Sequence, residues 1–486
     1  EVEAQPKLNK YAFACAAVGS MISIIFGYDT GVMSGAMIFI KEEFMIKDGN
    51  VEILAGILNL CALFGSLCAG RVSDYLGRRY TIVLACVIFM LGSILMGYGP
   101  NYAVLLAGRC TAGVGVGFAL MIAPVYAAEI SAAHNRGFLS SLPEIGISVG
   151  ILLGYVSNVV FANLTLKLGW RMMLGIAAVP SFLLGVGILK MPESPRWLAT
   201  KGRFEEAEEV LYKICDEKEE AEQRLRDIKI GLRVEDIDNP PAAGVWKELI
   251  LRPTPAVRRM LIAGIGIHFF EHATGVEAVI LYGPRIFREA GLRTKRRLLL
   301  ATVGVGLTKL VFITISTFII DKIGRRKLLL FSISGMILSL AGLATCLTVI
   351  EHASAGSKLA WALVMSLIFV YCFQMFFNIG LCPVCWVYSS EIFPQKLRAA
   401  GASLSVAMNR LMNATVSMSF LSLSAAITFG GAFYLFSGMA VLAWLFVYFL
   451  LPETRGRSLE EMEEIFSSGQ CGIRDDKKKR TQVEFV

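Results

Sequence analysis

No stretch of this chain reads Gly-x-x-x-x-Gly-Lys-[Ser/Thr], the loop whose backbone amides cradle nucleotide phosphates, which argues against an ATP-driven machine. No nucleophile–base set and no metal-ligand spacing stands out, so neither an enzyme nor a metal or cofactor site is expected. A disulfide framework is also missing. Of 11 cysteines, nine (15, 61, 68, 86, 110, 346, 372, 382 and 385) fall in apolar runs, and Cys215 and Cys471 lie in segments assigned to the cytoplasm. Cys382-Pro-Val-Cys385 has the spacing of a redox pair, but within an apolar run helix packing is the preferred reading. The opening Glu-Val-Glu-Ala-Gln-Pro-Lys is mixed in charge and the first apolar run is too long for a signal core, so no cleavable signal is expected. The net charge of +8 is read as loop charge on one side of a membrane and not as a nucleic-acid footprint.

What the chain does have is apolar length. Of its 486 residues 55% are hydrophobic, mean hydropathy is +0.61, and several runs exceed the roughly 20 residues a spanning helix needs. Twelve such runs can be read, six within 11–190 and six within 256–451. The expected fold class is an all-α polytopic membrane protein: twelve transmembrane helices as two pseudo-symmetric six-helix halves. Residues 1–10 and 452–486 are read as cytoplasmic tails and 191–255 as a cytoplasmic linker. In that linker Phe204, Ala207, Val210, Leu211 and Ile214, then Ala221, Leu225 and Ile228, recur at helical spacing, which predicts short amphipathic helices and not a flexible tether.

The halves repeat each other. Asp74-x-x-Gly77-Arg78-Arg79 returns as Asp321-x-x-Gly324-Arg325-Arg326. Tyr126-x-x-Glu129 followed by Arg136 returns as Tyr388-x-x-Glu391 followed by Arg398. Pro192-Glu193-Ser-Pro-Arg196 returns as Pro452-Glu453-Thr-Arg455. Three paired motifs in one order indicate an internal duplication, a plan used by membrane carriers. Basic residues at 71, 78, 79, 136, 325–327, 396, 398 and 477–480 share one side if both termini are cytoplasmic. Arg285, Arg288, Arg293, Lys295, Arg296 and Arg297 fall on the opposite side, against that rule.

Charged side chains inside apolar runs carry the functional reading, because hydrocarbon admits them only at about 2.5–3.5 kcal/mol each unless they face water, a partner or a solute. His268-Phe-Phe-Glu-His-Ala-Thr-Gly-Val-Glu277 is the densest case. His268, Glu271, His272 and Gly275 share a helical face, and Gly275 is expected to weaken the helix just before Glu277. Asp29 lies about 27 Å along the first span and Arg109 about 10 Å into the fourth, so both fall in the outer half of the bilayer and can meet. A proton-exchanging pair and a permanent ion pair both fit that placement. Lys309 and Arg410 lie about 18 and 16 Å from the inner surface, near the midplane, where Glu144, Glu271 and Glu277 are the available carboxylates. The alternative for the two cations is snorkelling toward the inner surface.

The Asp-x-x-Gly-Arg-Arg pair, Pro192-Glu-Ser-Pro-Arg-Trp197, Pro452-Glu-Thr-Arg-Gly-Arg457 and Glu391-Ile-Phe-Pro394 resemble the sugar porter family of the major facilitator superfamily over nearly the whole chain. Gly27-Tyr-Asp-Thr-Gly-Val-Met-Ser-Gly-Ala36, His268-Phe-Phe-x-His-Ala-x-Gly275 and Tyr282-x-Pro-Arg-Ile-Phe287 look like the plant polyol transporters within it. The resemblance implies a proton-coupled symporter of linear polyols of the sorbitol, mannitol and xylitol class, with monosaccharides as further substrates, working by alternating access without a cofactor. It implies Asp29 as proton acceptor and Arg109 as its partner. It places Glu144, Glu271, His272, Glu277, Lys309, Trp386, Asn409 and Arg410 at the sugar site, and Phe26 and Tyr282 complete the candidate set. Many hexose carriers have amides at the first four of these positions; acids and a histidine here suggest a ligand other than a closed pyranose. A polyol offers only hydroxyls, which such a mixture of donors and acceptors can satisfy.

Asp74, Arg78, Arg79, Glu129, Arg136, Glu193, Arg196, Asp321, Arg325, Arg326, Glu391, Arg398 and Glu453 alternate in sign and are read as a cytoplasmic gate, closed if they pair between halves. The plain alternative is topology-setting charge. Competing functions are a facilitative uniporter and a membrane sugar sensor. The expected partners are a small solute and the bilayer, with a monomer sufficient and the plasma membrane as location.

Overall fold

Each apolar run becomes a helix, because in lipid only a helix satisfies every backbone N–H and C=O within its own segment. The structure is a computed structural model describing residues 9–130, 136–215, 218–238, 249, 253–353, 360–393, 397–455 and 459–468. The first spans are α1 (Lys10–Phe44), α2 (Asp48–Leu76), α3 (Arg78–Tyr98), α4 (Tyr102–Ile130) and α5 (Arg136–Phe161). The sixth run forms two pieces, α6 (Leu166–Gly175) and α7 (Ala178–Leu189). In the linker stand α8 (Pro195–Thr200), α9 (Phe204–Ile214) and α10 (Lys218–Asp238), with Ala207, Val210, Leu211 and Ile214 of α9 buried at the spacing the sequence shows. The later helices are α11 (Pro255–Ala273), α12 (Val276–Glu289), α13 (Lys295–Ile323), α14 (Arg325–Glu351), α15 (Ala360–Ile379), α16 (Leu381–Glu391), α17 (Arg398–Leu450) and α18 (Leu459–Ser468).

Among the described residues ten helical stretches are long and apolar enough to cross a bilayer. The twelve-span reading follows from two of their details. α17 holds two spans: Thr428 leaves helical geometry at φ 69° and its Oγ1 accepts from Gly431 N–H at 3.2 Å, capping the second span as it begins. The seventh span breaks between α11 and α12, and the 19 residues of α11 carry Arg258, Arg259 and Glu271, too many charges to be apolar enough alone. Thr274 closes α11, and Gly275 takes the left-handed conformation at φ 84°. A Cβ on Gly275 would stand 2.4 Å from the Phe436 ring, so both the dihedral and the space require glycine.

The chain folds as two compact units, one of Glu1–Met45 with Ile57–Asn239 and the other of Ile46–Gly56 with Pro240–Val486. The first turns of α2, read from sequence as part of the first half, thus pack with the second unit. Glu52 is the physical reason: its buried carboxylate accepts from the N–H and hydroxyl of Ser422. Asp48 adds an ion pair to Arg285 at 2.7 Å. That pair also accounts for part of the basic stretch that offended the charge rule. Arg285 and Arg288 lie on α12, and Lys295, Arg296 and Arg297 open α13, which leaves only a short turn between the two helices.

In the first unit α1 packs along α5 with backbones in direct approach. A Cβ on Gly27 or Gly31 would come 2.0 or 2.3 Å from the carbonyls of Ile147 or Ile151, and one on Gly150 would come 2.1 Å from that of Ile24. Small residues at four-residue spacing permit this contact, which fixes α1 at the level of Asp29. Gly275→Ala is expected to lower stability by about 1–3 kcal/mol through its dihedral, with the ring clash added. Gly438→Ala, where a new Cβ meets nothing within 4 Å, is expected to be neutral or slightly stabilising. Thermal unfolding of the two detergent-purified variants checks the contrast.

Candidate functional site

In the first unit, α1 and α4 bring Asp29 and Arg109 together. Each is 1% exposed, and an Arg109 guanidinium N–H donates directly to Asp29 Oδ2. The pair expected from sequence therefore exists and is shut off from solvent. Phe26, one turn before Asp29, is buried between α1, α3 and α4 and lines a small apolar cavity with Ile22, Cys86, Phe89 and Val116. Glu144 lies half-buried on α5, its backbone carbonyl accepting from Ser148 Oγ at 3.2 Å.

In the second unit, the break at Thr274–Gly275 organises a polar cluster. Glu271, His272 and Glu277 are each at most 6% exposed. Glu271 Oε2 accepts from Asn409 Nδ2 at 2.7 Å and lies 3.0 Å from His268 Nδ1. Arg410 donates to Asn409 Oδ1, which holds the amide with its NH2 group toward Glu271. His272 Nδ1 stands 3.4 Å from Glu277 Oε1, and neither ring nitrogen completes a hydrogen bond among the described residues. Glu277 in turn accepts from Asn413 Nδ2 at 2.7 Å. Trp386 sets its indole edge-on to His268, ring centroids 5.3 Å apart.

Lys309, at the centre of α13, is 5% exposed and donates to Asn378 Oδ1 at 3.3 Å, so it is buried with a partner and does not snorkel. Arg410 is 6% exposed. Tyr282 stands apart from the cluster, donating to the Ser417 carbonyl at 2.6 Å and stacking on Phe420.

Several groups escaped the sequence reading. His268 shares the face of Glu271 and His272 but has no role in the sequence reading, while Asn413 holds Glu277 and Asn378 holds Lys309. Gln374, fully buried on α15, has neither side-chain polar atom bonded among the described residues. The signal was present: Asn409 and Asn413, like Gln374 and Asn378, are amides four residues apart in apolar helices.

The charged motifs form two matching networks. Arg78 grips both oxygens of Glu129 at 2.9 and 3.1 Å, and lies 3.4 Å from Asp74. Gly77, at φ 95°, turns the chain so that the Arg78 and Arg79 N–H groups donate to Glu193. Burial pushes the Glu193 carboxyl up, against the downward pull of N–H bonds from Ser194, Arg79 and Arg78. The second unit repeats the design: Gly324 at φ 96°, the Arg325 and Arg326 N–H groups on Glu453, and Arg325 on Glu391 at 2.8 Å. Among the described residues, the contacts named here each join groups of one unit. The reason is the glycine turn, which aims its amides at the carboxylate of the same unit. Arg196 lies exposed on α8. The side chains of Arg136, Asp321 and Arg398 lie outside the described residues.

Comparisons with known proteins bear on this geometry. A family model described as sugar (and other) transporter matches residues 15–466. Probable polyol transporter 3 of Arabidopsis thaliana is 61% identical, the match covering 97% of this chain and 94% of that protein. Polyol transporter 5 of the same plant is 56% identical over 98% and 89%. Among solved structures, the proton:xylose symporter XylE bound to 6-bromo-6-deoxy-D-glucose superposes with a TM-score of 0.78 at 27% identity, covering 95% of this chain and 100% of that one. The xylose transporter XylE from E. coli in a partially occluded inward-open form gives 0.77 at 27% identity, covering 92% and 100%.

A buried charge left alone costs more than the pair returns. Arg109→Met is therefore expected to lower stability by about 3–5 kcal/mol, and Asp29→Leu combined with Arg109→Met to recover most of that loss. A double-mutant cycle of unfolding in detergent measures it.

Proposed function

Because this chain belongs to the sugar porter family of the major facilitator superfamily, a family of transporters and not enzymes, we propose that it moves linear polyols together with protons by alternating access. Sugar or polyol transport across a membrane is the family's work; the polyol and the proton are the finer reading. The observation that carries the proton is the Asp29–Arg109 pair, sealed at 1% exposure on each side. A proton reaching Asp29 removes the carboxylate charge and frees the guanidinium, so loading changes the balance of charge inside α1 and α4. The XylE structures, described as those of a proton:xylose symporter, lend this coupling support.

The polyol reading rests on the cluster of Glu271, His272, Glu277, Lys309, Asn409 and Arg410. It mixes acceptors and donors without a flat apolar platform beyond Trp386, which suits a chain of hydroxyls. His272 supports it further: Nδ1 has only the 3.4 Å contact to Glu277, and Nε2 has no hydrogen-bond partner among the described residues, which leaves room for a ligand hydroxyl. Glu144, Phe26 and Tyr282 complete the proposed substrate set, and the two motif networks are proposed to loosen as the inner side opens. A plasma-membrane location with cytoplasmic termini fits the basic residues gathered on one side.

Asp29→Asn is expected to abolish accumulation of sorbitol driven by an acid exterior while keeping counterflow exchange in proteoliposomes. Undiminished uphill uptake by that variant would assign the chain to the facilitative uniporters instead.

A further inference from the structure

His268 is fully buried on α11, and the proton pathway just described does not use it. Its surroundings are unusual in accommodating both charge states. Nδ1 lies 3.0 Å from Glu271 Oε2, and Asn409 Nδ2 donates to that same oxygen. Asn409 Nδ2 also lies 3.2 Å from Nδ1, but its shorter bond, 2.7 Å, goes to the carboxylate, and a bare Nδ1 would face the charged Glu271 Oε2 at 3.0 Å; Nδ1 therefore carries the proton and donates to Glu271. On the other side Nε2 faces Ser389 Oγ at 3.4 Å, and that hydroxyl also lies 3.1 Å from the Trp386 carbonyl.

The hydroxyl thus has two settings. Pointed at Nε2, it donates to a neutral imidazole. Rotated onto the Trp386 carbonyl, it presents its lone pair to an Nε2–H and accepts from an imidazolium. One bond rotation satisfies His268 in either state, with no buried nitrogen left bare in either. The cation would also have the Glu271 carboxylate beside it. The other titratable or charged groups facing this pair are His272 on α11, Arg410 on α17 and Cys385 on α16, while Glu277 on α12 faces His272.

We propose that His268, switched by Ser389, is a second proton-binding site of this carrier, separate from Asp29, whose occupancy sets the charge against which Glu271 and Asn409 hold the polyol. His268 is a positioning residue: it acts on the substrate through Glu271. The link to polyol rests on the function proposed above, whereas the protonation itself does not.

The test uses the full chain in nanodiscs with the Asp29→Asn substitution, so that the first proton site is silent. Sorbitol binding is followed by calorimetry in two buffers of different ionisation enthalpy between about pH 5 and 8, the range in which histidine titrates. Binding is expected to exchange protons with the buffer and to change in affinity by about fivefold or more over that range. Adding His268→Gln is expected to remove both effects. Ser389→Ala, a milder change that spares the imidazole, is expected to displace the affinity profile along the pH axis, because both settings of the hydroxyl are lost. Nitrogen-15 spectra of the four histidines in the ligand-free protein give an independent reading, in which the signal lost in His268→Gln should titrate. A His268 that keeps one protonation state throughout, or proton exchange that survives His268→Gln, overturns the proposal. If His268 titrates but sorbitol does not bind, the second proton site stands and the polyol reading falls.

Discussion

A charged or hydrogen-bonding side chain surrounded by hydrocarbon must find its partner inside the protein, and most of this structure's detail follows from that requirement. Asp29 has Arg109, Glu271 has His268 and Asn409, Glu277 has Asn413, and Lys309 has Asn378. Apart from His268, which shares α11 with Glu271, each partner stands on a different helix, so the polar groups also fix which faces meet. Among the described residues, Gln374 is a buried side chain whose polar atoms have no hydrogen-bond partner, and His272 has only the longer contact to Glu277.

The two units answer the same constraint differently. Their inner ends are near copies: a glycine at positive φ turns two successive amides onto a carboxylate, while the following arginine grips a second acid. Their interiors have diverged. Among the described residues, the first unit buries the Asp29–Arg109 pair in its interior, whereas the second spreads charge over acids, amides, imidazoles and cations.

Breaks in the helices supply the geometry. His272 and Glu277 flank the turn at Thr274–Gly275, and Trp386 stands on α16 just beyond the interruption at Gly380. A broken span exposes backbone groups and redirects side chains at mid-depth, which a continuous helix cannot do. The same break brings Glu277 close to His272, five positions earlier in sequence.

By itself the sequence determined the helical class, the span count, the duplication and the identity of the buried charges, because each is written in runs of apolar residues and in motifs that lipid makes expensive to misplace. It also placed Asp29 and Arg109 at compatible depths, since rise per residue is fixed. Only the tertiary structure decided partners. That Glu193 and Glu453 serve their own units, that Glu52 ties the start of α2 to Ser422, that Asn413 and His268 complete the polar cluster and that Asn378 meets Lys309 depend on which helix faces touch. Periodicity names the face a residue occupies on its own helix. The helix that covers that face is settled by three-dimensional packing, and no count along the chain contains it.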